Sequence, residues 1–157
     1  MEKVPMTVEG FAALEAELKR LKSEERPAII RALEEARAHG DLSENAEFHA
    51  AKERQAYIES RIIELESKTS NAQVIDPKDL SGSTVKFGAT VRVYDEDEDT
   101  EMSLRIVGED EADIKNNLLS LKAPLARALI GKSVGDEVEV NTPGGGKCYE
   151  LLDIQFV

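Results

Sequence analysis

HGDLSENAEFHAAKE, residues 39–53, decides how this chain folds. Gly40 interrupts a long helical pattern that resumes within a few residues, so the stretch reads as the bend of a helical hairpin. Asp41 and Glu44 then sit at its end. Upstream, Phe11, Leu14, Leu18, Leu21, Ala28 and Ala32 recur at three-and-four spacing, with Ile29, Leu33 and Ala36 widening the stripe. This predicts a helix of about 30 residues, roughly 45 Å long, capped by Thr7 and stopped at Gly40. Pro27 lies inside it, which predicts a kink or short break over residues 23–27.

Downstream, Ala51, Gln55, Ile58, Ile62, Leu65, Thr69 and Ala72 follow a heptad spacing. Folding back about the bend sets Leu18 against Leu65, Leu21 against Ile62 and Leu14 against Thr69. Apolar meets apolar, so the two limbs predict an antiparallel coiled coil. Towards the bend the seam thins to Ala32, Ala36, Ala46, Ala50 and Ala51, a narrow end. The same register sets Arg31 across from Lys52, with Arg37 nearer the bend. These cations form either a small phosphate-binding patch or part of an ordinary mixed-charge helix surface, since Glu34, Glu35, Glu47 and Glu53 surround them.

The D-x-x-E spacing of Asp41 and Glu44 supports two readings. It fits a helix capping box, in which Asp41 accepts from the Glu44 backbone and Glu44 reaches back to Asp41. It also fits a pair of hard oxygen ligands, too few to hold magnesium alone but able to complete a site supplied by another molecule.

Residues 71–83 read as a linker, broken by Asp76, Pro77, Asp79, Ser81, Gly82 and Ser83. Three parts follow: a helical domain over residues 1–75, the linker proper at 76–83, and a second domain over 84–157. In the last, strands are predicted at 85–87, 90–94, 102–107, 138–141 and 149–157, with a hairpin turn at 142–147. Pro124 opens a short helix that stops before Gly131. The acidic run 95–101 reads as a solvated hairpin loop. The fold class is therefore α+β, a long helical hairpin followed by an antiparallel sheet packed on one short helix.

Composition narrows the function. A net charge of −12, from 20 basic and 32 acidic side chains, excludes general binding to nucleic-acid backbone, which needs a cationic excess. No targeting segment or apolar run of about 18 residues is present, which predicts a cytoplasmic protein with no membrane contact. One cysteine, Cys148, and two histidines give neither a disulfide nor a zinc ligand set.

Five segments together resemble the bacterial transcript cleavage factors of the GreA/GreB family. They are RPAIIRALEEARAHGDLSENAEFHAAKE (26–53), SNAQVID (70–76), FGATV (87–91), RIVGEDEADIK (105–115) and ARALIGKSVGDEV (126–138). The resemblance implies an N-terminal coiled coil and a C-terminal FKBP-like domain that meets bacterial RNA polymerase at the rim of its secondary channel. It further implies that the coiled coil enters the channel and stimulates the polymerase to hydrolyse the 3′ end of backtracked RNA. Family members are not autonomous enzymes. By matching position, Asp41 resembles the ligand of a magnesium ion shared with the polymerase, and Glu44 the group that orients or deprotonates the attacking water. Side chains of this type have reference pKa values of about 4 and are ionised at neutral pH.

Arg37 and Lys52 match the family's basic patch for extruded RNA, and DNA contact is expected only within the transcription complex. Ser43 and Asn45 fit either tip positioning or helix-start chemistry. Residues 117–127, NLLSLKAPLAR, are similar to the polymerase-docking segment, with Ser120, Leu121, Lys122 and Pro124 as contacts. Family members commonly carry serine where this chain has Ala123. The alternative function is a channel-binding inhibitor without cleavage activity. A prolyl isomerase is disfavoured, because fold alone does not carry activity and 4% aromatic content without tryptophan gives little material for a proline pocket.

Overall fold

The structure, a computed structural model, describes residues 3–40 and 45–157. Two compact units result, one formed by Phe11–Ala72, the other by Lys3–Gly10 together with Gln73–Val157. Strand β1 (Val4–Thr7) leads into helix α1 (Val8–Arg20), a π-helical turn (Leu21–Glu25) and helix α2 (Arg26–Ala38). Thr7 is the expected cap: its hydroxyl oxygen accepts from the Gly10 amide at 3.1 Å, and its hydroxyl donates to the Glu111 carboxylate. The chain stays helical through the Pro27 region by changing its winding. Proline has no amide for the carbonyl four residues back and crowds it, and a π turn, with the Arg26 amide bonded to the Leu21 carbonyl, takes up the mismatch.

Helix α3 (Ala46–Ser70) returns antiparallel to α2, and the helices bury Leu14, Leu21, Ile29, Leu33 and Ala36 together with Ala51, Ile58, Ile62 and Leu65. The coiled-coil seam is therefore present, with two corrections. Ala28, Ala46 and Ala50 are exposed, because those positions turn outward from the seam; Ala51 turns inward as expected and Phe48 joins it. Ala72 lies beyond the helix, in strand β2 (Ala72–Ile75), which pairs with β1. Ion pairs flank the seam: Arg26 with Glu59 at 2.8 Å, Arg54 with Glu25 at 2.9 Å, and Arg61 with Glu17 at 2.8 Å.

The last pair is two-pronged, at 2.8 and 3.0 Å, and these hydrogen bonds hold the Glu17 carboxyl below the ordinary carboxylate range. A depressed carboxyl stabilises the fold above its unfolded pKa and loses that contribution as pH falls through its folded value. Glu17→Gln is thus expected to cost about 0.5–1 kcal/mol at pH 7 and nothing once Glu17 is protonated. Urea unfolding of both proteins at neutral pH and at about pH 3 checks this.

The second unit contains a five-stranded sheet. Its strands are β3 (Thr90–Asp95), β4 (Thr100–Val107), β5 (Leu118–Ser120), β6 (Glu137–Thr142) and β7 (Gly145–Gln155), in the order β5-β4-β3-β7-β6. All pairs are antiparallel except β4 with β5. Alternation places Val91 and Val93, Leu104 and Ile106, Val138 and Val140, and Tyr149 and Leu151 in one core. Ala126 and Leu129 of helix α4 (Pro124–Leu129) join them, giving the expected α+β class.

The strand predicted at 85–87 does not form. Thr84 makes only an isolated bridge to Ser133, Val85 exchanges backbone bonds with Gly131 and Lys132, and Gly88, at φ +88°, turns the chain towards β3. The predicted turn at 142–147 is tighter than expected, since Thr142 already pairs with Gly145. Among the described residues no helix is long and apolar enough to cross a membrane.

Candidate functional site

The bend is held from both sides by described residues. Helix α2 ends with the His39 amide on the Ala36 carbonyl and the Gly40 amide on the Arg37 carbonyl, both at 3.2 Å. Gly40 takes φ +104°, the left-handed side of backbone space that a residue without Cβ adopts freely. On the return, Asn45 caps α3: its side-chain oxygen accepts from the Phe48 amide at 3.1 Å. Its side-chain amide also donates to the Ala36 carbonyl at 2.7 Å, tying the start of α3 to the end of α2.

The predicted site residues Asp41 and Glu44, and with them Ser43, lie outside the described residues. The cap nevertheless bears on the capping-box reading. Helix α3 takes its cap from Asn45, four residues beyond the aspartate that the D-x-x-E spacing nominates.

Arg37 and Lys52 each approach the ring of Phe48. The Arg37 guanidinium carbon lies 6.0 Å, and the Lys52 ammonium 5.9 Å, from the centroid of the Phe48 ring. Arg37 occupies the last turn of α2 and Lys52 the second turn of α3, both exposed. The sequence register sets Lys52 across from Arg31; in the structure Lys52 and Arg37 each approach the Phe48 ring. Phe48 is the residue that the sequence reading missed. Its signal was legible: Phe48 and Lys52 are four apart on one helix, hence neighbours on its surface.

The predicted docking residues cluster around the start of α4. Ser120 ends β5, and its hydroxyl oxygen accepts from the Lys122 amide at 3.1 Å. Leu121 is half-buried against the core, Lys122 pairs with Glu109 at 3.0 Å, and Pro124 is exposed at the first helical position. Ala123 is the N-cap of α4 and has no side chain to cap it. Ala123→Ser supplies the missing acceptor and is expected to stabilise this unit by about 1 kcal/mol. A rise in the urea midpoint with an unchanged slope checks it.

One further gathering of charge was not visible in the sequence. Glu96, Glu137 and Glu150 bring carboxylate oxygens within 4.8 Å of one another, because β6 and β7 pair Glu137 with Glu150 and the chain leaving β3 adds Glu96. Desolvation and the neighbouring Glu137 push the Glu96 carboxyl up.

Residues 4–74 match the family model described as transcription elongation factor, N-terminal, and residues 80–156 that of the GreA/GreB C-terminal part. The transcription elongation factor GreA of Ruegeria pomeroyi is 64% identical over 156 residues, covering 99% of each chain. Those of Cereibacter sphaeroides and Caulobacter vibrioides are 63% and 62% identical over 157 residues, the full length of both chains. Among solved structures, GreA factor homolog 1 of Thermus thermophilus is 28% identical, with 98% of this chain and 99% of that one covered and a TM-score of 0.45.

Proposed function

This chain belongs to the GreA/GreB family of transcription elongation factors, and from that membership we propose that it rescues arrested bacterial RNA polymerase by stimulating cleavage of backtracked RNA. The second unit docks at the rim of the polymerase secondary channel through Ser120, Leu121, Lys122 and Pro124. The helical hairpin enters the channel and delivers Asp41 and Glu44 to the polymerase's own catalytic centre. The observation that supports this reading is the end of the hairpin, where Arg37 and Lys52 flank the segment carrying the two acids. A phosphate backbone lying against those cations places its reactive bond near the carboxylates.

The donor set suits magnesium: aspartate and glutamate are hard oxygen ligands, and the pair alone leaves most of the coordination shell to another molecule. Asp41 would hold the ion jointly with the polymerase, and the ion, when bound, supplies Lewis-acid activation of water and charge stabilisation at the leaving oxygen. Glu44 orients the attacking water and takes up its proton. Arg37 and Lys52 bind the extruded strand electrostatically. Hydrolysis belongs to the polymerase, and the factor acts in the cytoplasm as its accessory. DNA is met only inside the transcription complex.

The test is a stalled, backtracked elongation complex carrying 3′-labelled RNA, to which the wild-type protein is added. Release of a labelled fragment together with retention of the protein on core polymerase supports the proposal. Retention with slowed elongation and no fragment would replace it with a channel-binding inhibitor.

A further inference from the structure

Arg37 and Lys52 are like charges on different helices, yet both approach one aromatic ring, at 6.0 and 5.9 Å from its centroid. They are therefore no farther apart than the sum of those two distances. Glu34 lies one turn from Arg37 on α2, an acid within that cation's reach on its own helix. The electron-rich face of a phenyl ring attracts cations and offsets their mutual repulsion.

Phe48 is itself fixed. Its amide bonds to the Asn45 cap, it is half-buried on the inward side of α3, and the His49 ring meets it edge-on at 5.7 Å and 69°. Asn45 ties the same turn to Ala36, one residue before Arg37. The ring is thus a rigid element between two flexible cationic side chains.

We propose that Phe48 is a positioning residue, whose ring gathers Arg37 and Lys52 into one two-pronged grip on the phosphate backbone of the extruded RNA. The inference rests on the proposed cleavage function and goes beyond it by assigning the geometry of the grip to an uncharged side chain. Without the ring the two cations separate. Their charge remains, but their joint hold on one strand is lost.

Phe48→Leu and Phe48→Tyr separate this role from packing, since leucine keeps apolar bulk and helix propensity while tyrosine restores the ring. In the backtracked-complex assay, Phe48→Leu is expected to raise the half-saturating concentration of factor about fivefold to tenfold, with the maximal cleavage rate and binding to RNA-free core polymerase unchanged. Phe48→Tyr behaves as wild type. In a background of Arg37→Ala and Lys52→Ala, Phe48→Leu has no further effect. By NMR of the free protein, the Lys52 ε-methylene protons are shifted upfield by the ring in the wild type and lose that shift in Phe48→Leu.

The proposal is overturned if Phe48→Leu matches wild type. It is equally overturned if Phe48→Leu weakens core binding and thermal stability in parallel and tyrosine fails to rescue, which is a packing role alone. A wild-type protein that stimulates no cleavage removes the functional reading and this proposal with it, whereas normal wild-type cleavage with an insensitive Phe48→Leu removes only the proposal.

Discussion

Asp41→Asn and Glu44→Gln each lower factor-stimulated transcript cleavage by about 10²- to 10⁴-fold, the range associated with loss of a positioned acid–base group. Both substitutions keep side-chain size and remove only the charge. Folding is expected to survive, because α3 is capped by Asn45 and α2 closes at Gly40 through its own backbone bonds. Binding to polymerase is expected to survive as well, since the proposed docking residues Ser120 to Pro124 lie in the other unit. The two variants should differ in one respect. Asp41→Asn weakens a shared metal ligand, so added magnesium recovers part of the rate; Glu44→Gln loses the proton acceptor, and magnesium recovers little. Rates measured across a magnesium titration at saturating factor distinguish these outcomes. A purely structural role for the acids would cost about 1 kcal/mol of stability and leave cleavage near normal.

Leu65→Ala carries the largest expected effect on stability. Leu65 is 0% exposed and lies in the seam with Ile58, Ile62, Leu14 and Leu21. Truncating a fully buried leucine removes its transfer free energy and leaves a cavity, together about 2–5 kcal/mol. A thin two-limbed seam has few neighbours available to collapse into that space, so the upper half of the range is expected. Loss of helical circular dichroism at lower urea, against an unchanged signal from the sheet unit, measures it. Ile63, one helical position away from the seam and 70% exposed, provides the contrast: Ile63→Ala stays within about 0.5 kcal/mol.

These two predictions draw on parts of the molecule that were unequally legible in the sequence. The hairpin was readable because its determinants are local: three-and-four spacing from Leu14 to Ala36, a glycine at the bend, and a second periodic run through Leu65. Helix α4 was readable for the same reason, from Pro124 to Gly131. What the sequence left open depends on contacts between distant residues. The approach of Arg37 and Lys52 to one ring was not visible in the register, because it depends on Phe48 turning inward near the start of α3.

Val85 has the composition of a strand residue, but its backbone is taken up by the turn at Gly131 and Lys132. Strands β1, β2 and β5, of four, four and three residues, are too short for an alternating pattern to announce them. The proline was legible as a perturbation and not as a π turn, since either a break or an added residue relieves the clash with the preceding carbonyl. The acidic trio of Glu96, Glu137 and Glu150 exists only once three separate chain segments are brought side by side. The candidate acids were recognisable by type and spacing, but the same spacing also fits a capping box, and in the structure the cap of α3 is Asn45.

The most direct measurement is the rate of 3′-labelled fragment release from a single preparation of backtracked complex under three conditions: no factor, wild type, and the Asp41→Asn, Glu44→Gln double variant, both proteins at saturating concentration. Rapid release with wild type and a double-variant rate equal to that without factor is the predicted result. Equal release by wild type and the double variant would contradict the claim that the end of the hairpin lends its carboxylates to the polymerase.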